Sequence, residues 1–227
     1  MRSLTRRVRR QFVLAVVAAA VGGIVYWWAV GDDTVFAWSM ATGYAALVLL
    51  AVALVLGPWR VLRGGAPSVH TELRRDVGIW GGVLGVVHVV FGLQAHMRGR
   101  PWLYFVPEPE AGAPLPVRTD LFGFANHTGL AATLLLLMLL ALSNDRALRR
   151  LGADRWKWWQ RLNYVGMALV ALHALAYQLI EKRAAWLVVV LLLLTAGSGA
   201  LQLAGRRRVL SGRRAQAGGA QEPRAAT

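Results

Sequence analysis

The chain has 227 residues, 56% of them apolar or aromatic and 16% charged, and Lys and Arg outnumber Asp and Glu by 26 to 11 for a net charge of +15. A mean hydropathy of +0.45 excludes a water-soluble enzyme, and arginines clustered between long apolar runs exclude a nucleic-acid-binding protein and indicate a multi-spanning membrane protein. The absence of cysteine excludes disulfides, thiolate metal sites and cysteine nucleophiles.

A bilayer core about 30 Å thick takes roughly 20 apolar residues as helix. A basic arm, residues 1–10, precedes the first span, Gln11 to Val30. Arg9-Arg10-Gln11-Phe12 resembles a twin-arginine signal, but the apolar stretch is long, ends in Trp27-Trp28 and lacks a cleavage site, so it reads as an uncleaved helix. The second span is Ala37 to Leu56 and the third Val77 to Met97, with His70 in the loop between them. A proline-rich loop, Arg98 to Asp120, carries Trp102, Tyr104, Phe105, Glu108 and Glu110. It reads as a docking platform for an acceptor or a cap. The remaining spans are Leu121 to Leu142, Gln160 to Ile180 and Ala184 to Ala204, and residues 205–227 read as a disordered basic tail. None of the eight prolines falls in a span, and nine of the ten tryptophans lie at or near span ends. The fold expected is an all-α, six-transmembrane-helix bundle.

Of the 26 Lys and Arg, only Arg98, Arg100, Arg118, Lys182 and Arg183 fall on one side, leaving 21 on the other. The positive-inside rule then puts both termini in the cytoplasm of a multi-pass protein of the cytoplasmic (inner) membrane.

Ionisable residues inside spans are functional candidates. His88 lies 13 residues past Arg75 in the third span, and His173 lies 12 residues past Arg161 in the fifth. Both spans run in the same direction, so the two imidazoles sit at one depth, roughly 18–20 Å from the basic boundary. A lone membrane histidine serves equally well as packing glue, hydrogen-bonded to a neighbouring carbonyl. Two at one depth on parallel helices favour a metal gripped between them, with a bis-histidine haem as the candidate. Gly81, Gly82, Gly85 and Gly92 around His88, and Gly166 before His173, allow close approach of a macrocycle or a helix. His127 and His96 are candidates for a polar contact, a proton relay or a second site, with no physical argument selecting among these.

Three stretches resemble the ferric-reductase-like transmembrane domain. They are Arg74-Arg75-Asp76-Val77-Gly78-Ile79-Trp80 leading to His88, Arg149-Arg150-Leu151-Gly152 through Gln160-Arg161-Leu162-Asn163-Tyr164 to His173, and Thr42-Gly43, Ala46-Leu47 and Gly57-Pro58. The similarity covers about residues 40–200, and within the family it is greatest to the haem-binding membrane subunit of bacterial periplasmic methionine sulfoxide reductase systems. The resemblance implies a six-helix bundle passing electrons through b-type haem. Two-haem members of the wider superfamily carry a second histidine pair, at positions that here match Arg74 and Gln160. It therefore implies one haem b, held by His88 and His173 as cofactor and metal ligands.

The function expected is a membrane haem electron-transfer subunit with no acid–base catalytic residue. A separate donor, either a flavin reductase or a quinol, would supply electrons, and a periplasmic or extracellular protein or metal would accept them. Arg74, Arg75, Arg155, Lys157 and Arg161 are candidates for holding a flavin (FMN) phosphate, with ordinary membrane anchoring as the alternative. Arg98 and Arg100 are candidates for meeting haem propionates. The alternatives are a direct transmembrane ferric reductase and a cofactor-free scaffold. A transporter is disfavoured, because the spans lack proline breaks and midplane carboxylates.

Overall fold

The computed structural model describes residues 2–31, 33–65, 72–97, 99–108 and 117–219. The anticipated positions His70, Arg98 and Glu110 lie outside them. Seven helices follow in order: α1 (Arg2–Ala29), α2 (Thr34–Leu62), α3 (Glu72–Ala95), α4 (Leu121–Leu142), α5 (Asp145–Gln160), α6 (Asn163–Glu181) and α7 (Ala185–Gly219). All but α5 supply a segment long and apolar enough to cross a membrane. The six-helix bundle expected from the sequence is thus present, and its fourth span has the anticipated bounds. Large apolar side chains such as Ile24, Leu134, Leu179 and Leu193 are more than half exposed around its perimeter. That pattern suits lipid, because water would oppose so much apolar surface.

Helix starts follow their caps. Asp33 accepts from the Phe36 amide at the head of α2, Asp120 from the Gly123 amide at the head of α4, and Asn144 from the Ala147 amide at the head of α5. α2 is the central element, packed on α1, α3 and α7. Its buried face is rich in alanine (Ala37, Ala41, Ala45, Ala46, Ala51), which lets neighbours come close. α4 packs chiefly on α6. α1 is peripheral, pinned at the basic end by Arg10 Nε to Asp76 Oδ2 (2.5 Å) and by Trp80 Nε1 to Gln11 Oε1 (2.7 Å).

Several boundaries differ from the sequence expectation, among them the start of α1 at Arg2 within the expected basic arm, and three of the differences have a clear physical reason. α2 continues past Leu56 with Pro58 inside it, although no proline was expected in a span. Pro58 cannot donate to the Leu54 carbonyl, and Gln202 of α7 supplies that bond instead (2.6 Å). The segment 143–161, read as a loop, forms the amphipathic α5, interrupted at Gly152 (φ 73°). Trp156 fixes it by donating to the Leu142 carbonyl (2.9 Å). Finally, α7 runs to Gly219, so residues 205–219 of the expected disordered tail are helical. Alanine and arginine there favour helix.

One end of the bundle holds both helical termini, the turn after α2 and α5. The other holds the 96–120 loop and the three-residue turn Lys182–Ala184. We call these the basic end and the loop end.

Candidate haem site

The His88 ring of α3 and the His173 ring of α6 face one another inside the bundle, with ring centroids 6.1 Å apart and planes crossing at 78°. Each ring is held by a neighbouring helix in the same way. His88 Nδ1 bonds the Ser39 carbonyl of α2 (2.8 Å), and His173 Nδ1 bonds the Ala125 carbonyl of α4 (2.8 Å). A carbonyl only accepts, so Nδ1 carries the proton in both rings and Nε2 keeps its lone pair. Neither Nε2 has a hydrogen-bond partner among the described residues.

Four residues beyond each accepting carbonyl stands a glycine whose missing side chain makes the seat. A Cβ on Gly43 would lie 2.8 Å from His88 Nδ1, and one on Gly129 would lie 2.6 Å from His173 Nδ1. The pairs α2–α3 and α4–α6 therefore use one device twice, a carbonyl and a glycine one turn apart against an imidazole.

This arrangement fits a bis-histidine haem. Two imidazoles that shared one metal through Nε2 bonds of about 2 Å would have ring centroids no more than roughly 6 Å apart, close to the separation of this pair. Carbonyl bonding at Nδ1 is the outer-shell contact that orients a ligating histidine. A cavity of about 230 Å³ surrounds the pair, lined among others by Gly43, Gly85, Gly92 and Gly129. Of the glycines anticipated near the site, Gly85 and Gly92 border it. A Cβ on Gly81 or Gly82 would strike Leu50 or Leu140 instead, so those two serve helix packing.

The loop end is more polar than the sequence suggested. Tyr104, almost fully buried, donates to the Gly92 carbonyl (2.6 Å) and accepts from the His96 amide (3.1 Å). Tyr104 and Phe105 line the cavity, so the loop acts as a cap here, with Trp102 exposed on its surface. His96 Nε2 lies 3.0 Å from Glu181 Oε1, in contact but without hydrogen-bond alignment. Glu181 Oε2 takes the Arg183 Nε bond (2.5 Å). Tyr177 donates to Asn126 and Gln178 to Tyr44. His127 donates to the Arg118 carbonyl (3.2 Å) and packs on Phe105, which ties the loop down. Arg100 pairs with Glu108 at the surface (2.8 Å) and does not border the cavity. Among the described residues no group of three metal-ligating side chains forms, so His96 and His127 build no second metal site of that kind.

A second cavity, about 1110 Å³, opens at the basic end. Arg74, Arg75, Lys157 and Arg161 line it and Arg155 does not, so four of the five anticipated cations converge. Arg75 is engaged by Asp145. Gln160 Nε2 is buried there with no partner. Leu50 and Leu136 border both cavities and form the partition between them.

Residues 42–172, a stretch that holds His88 and ends one residue short of His173, match the family described as ferric reductase like transmembrane component. The chain belongs to that family. Two curated relatives carry the name protein-methionine-sulfoxide reductase heme-binding subunit MsrQ. The one from Deinococcus radiodurans is 34% identical over 136 residues, covering 58% of this chain and 58% of that protein. The one from Ralstonia nicotianae is 33% identical over 133 residues, covering 59% and 55%. The chain thus spans little more than half the length of the curated relatives it matches. No solved structure gives a significant match. The sequence located both inward histidines. It missed Glu181 and Arg183, although His173, Tyr177 and Glu181 recur every four residues along one helix face.

Proposed function

We propose that the chain is the haem b electron-transfer subunit of a membrane reductase system, with His88 and His173 as axial ligands. The observation that carries this reading is the repeated seat. Two Nδ1-protonated imidazoles lie 6.1 Å apart, each fixed by a carbonyl and a glycine on a neighbouring helix. Packing glue needs one hydrogen bond per ring and gives no reason for the rings to meet. A bis-histidine haem supplies one-electron chemistry between ferric and ferrous iron. The protein holds both ligands in the metal-binding tautomer and keeps the site apolar.

The basic end faces the cytoplasm of a bacterial inner membrane, and the loop end faces the periplasm or exterior. The donor is a separate flavin reductase or a quinol. The basic cavity suits an FMN or quinone intermediary, because Arg74, Arg161 and the unpartnered Gln160 Nε2 offer donors to an anionic or carbonyl-bearing ring system. Two leucines separate it from the histidine pair. The names of the two relatives, heme-binding subunits of a protein-methionine-sulfoxide reductase, support such a reductase as the partner, which on this reading is the acceptor at the loop end.

Haem-loaded protein in liposomes enclosing an electron acceptor tests this. External reduced flavin or quinol should reduce the enclosed acceptor, and His88→Ala should abolish the transfer. Transfer by His88→Ala at the wild-type rate would overturn the reading.

A further inference from the structure

The turn between α6 and α7 takes its shape from one residue. Lys182 has a left-handed backbone (φ 47°), which is uncommon for a residue with a Cβ. The reversal carries Arg183 back over the end of α6, and its side chain is only 15% exposed. Arg183 borders the same cavity as His88 and His173. It lies over the Tyr177 ring at 5.5 Å and the Phe36 ring at 5.7 Å. A mostly buried cation in a membrane protein is costly unless it is paired, and Glu181 is the carboxylate that pairs with Arg183.

Its hydrogen bonding is lopsided. Nε donates to Glu181 Oε2 (2.5 Å), and neither Nη makes a hydrogen bond among the described residues. A guanidinium has two usable edges, and a carboxylate or phosphate fits one of them with two parallel bonds. Glu181 fixes the group through Nε and leaves the Nη1/Nη2 edge free. Arg100, the other described cation considered for such a role, is taken by Glu108 outside the cavity.

We propose that Arg183 is the anion anchor at the loop end of the His88–His173 cavity, and that its free edge binds a carboxylate of the cofactor, a haem propionate. Glu181 is the positioning residue that aims it. The inference rests on the haem reading above and deepens it. It fixes which rim of the macrocycle faces the loop end. It also places a positive charge beside the iron site, which favours the ferrous form.

The test compares haem b with its dimethyl ester, whose propionates carry no charge. Both are titrated into full-length wild type, Arg183→Gln and Arg183→Lys in detergent, with midpoint potentials measured on the haem b complexes. Losing one partner of a buried charge pair weakens haem b binding at least about thirtyfold in Arg183→Gln. The ester should bind all three proteins alike, within about twofold. The midpoint potential should fall in Arg183→Gln, because ferric haem loses a repelling neighbour. Arg183→Lys should lie between, keeping the charge but not the fork, and it serves as the comparison if Arg183→Gln does not fold.

Equal weakening of haem b and its ester, or of neither, would overturn the assignment while leaving the haem reading intact. A wild type that binds neither compound would overturn both.

Discussion

Alanine at Gly129 or Gly43 should displace a histidine without touching its chemistry. A Cβ at position 129 would stand 2.6 Å from His173 Nδ1 and 2.8 Å from its Cε1. Ordinary contact begins near 3.4 Å, so the ring must retreat by about 0.8 Å, which breaks or stretches its bond to the Ala125 carbonyl. At Gly43 the nearest approach is 2.8 Å, a retreat of about 0.6 Å on the same reasoning. Overpacking costs about 1–3 kcal/mol and the weakened hydrogen bond about 1 kcal/mol. The better helix propensity of alanine returns about 1 kcal/mol. The net, about 1–3 kcal/mol, corresponds to a loss of haem affinity of roughly 5- to 150-fold, larger for Gly129→Ala.

Without haem the rings can swing into the cavity, so both apo variants should be about as stable as wild type. Gly23→Ala is the control, since nothing lies within 4 Å of its Cβ position, and it should keep wild-type haem affinity. The assay is haem titration followed by the Soret band, with thermal unfolding of the apo proteins alongside. Wild-type affinity in both Gly43→Ala and Gly129→Ala would refute the claim that these glycines seat the rings.

Three further outcomes are expected. Gln202→Ala should destabilise the apo bundle by about 1–3 kcal/mol by orphaning the Leu54 carbonyl. It should do less harm in a Pro58→Ala background, where a backbone amide replaces the Gln202 donor; additive losses in a four-way unfolding cycle would contradict this. Tyr104→Phe leaves the Gly92 carbonyl and the His96 amide without a buried partner, costing about 1–3 kcal/mol; hydrogen exchange should rise at residues 96–105, and unchanged exchange would speak against the cap. The ring planes cross at 78°, and a haem iron held by both in that orientation would have nearly degenerate dπ orbitals. The ferric protein should therefore give a strongly anisotropic low-spin electron paramagnetic resonance signal, and an ordinary rhombic signal would mean the planes are parallel.

Much of this was legible in the sequence because lipid leaves a helix few alternatives. Six apolar runs gave the six crossing helices, and counting residues from the basic boundary placed His88 and His173 at one depth. What escaped was tertiary in origin. Pro58 reads as a stop, and only Gln202, far along the chain, makes its place in a helix tolerable. The polar α5, broken at Gly152, reads as a loop until Trp156 and its apolar face find the bundle. In the sequence Arg183 counts only among the five cations of one side, and nothing in it marks Gly129. Gly129 meets its partner His173 only once the chain folds, and Arg183 meets Glu181, two residues away, through the left-handed turn at Lys182.

The central claim is that His88 and His173 hold one haem between them. The most direct test is haem per chain, with a reduced-minus-oxidised visible spectrum, for detergent-purified wild type, His88→Ala and His173→Ala expressed with ample haem. The account predicts sharp b-type bands at one haem per wild-type chain and none in either variant. A colourless wild type, or variants that keep the wild-type spectrum, would contradict it.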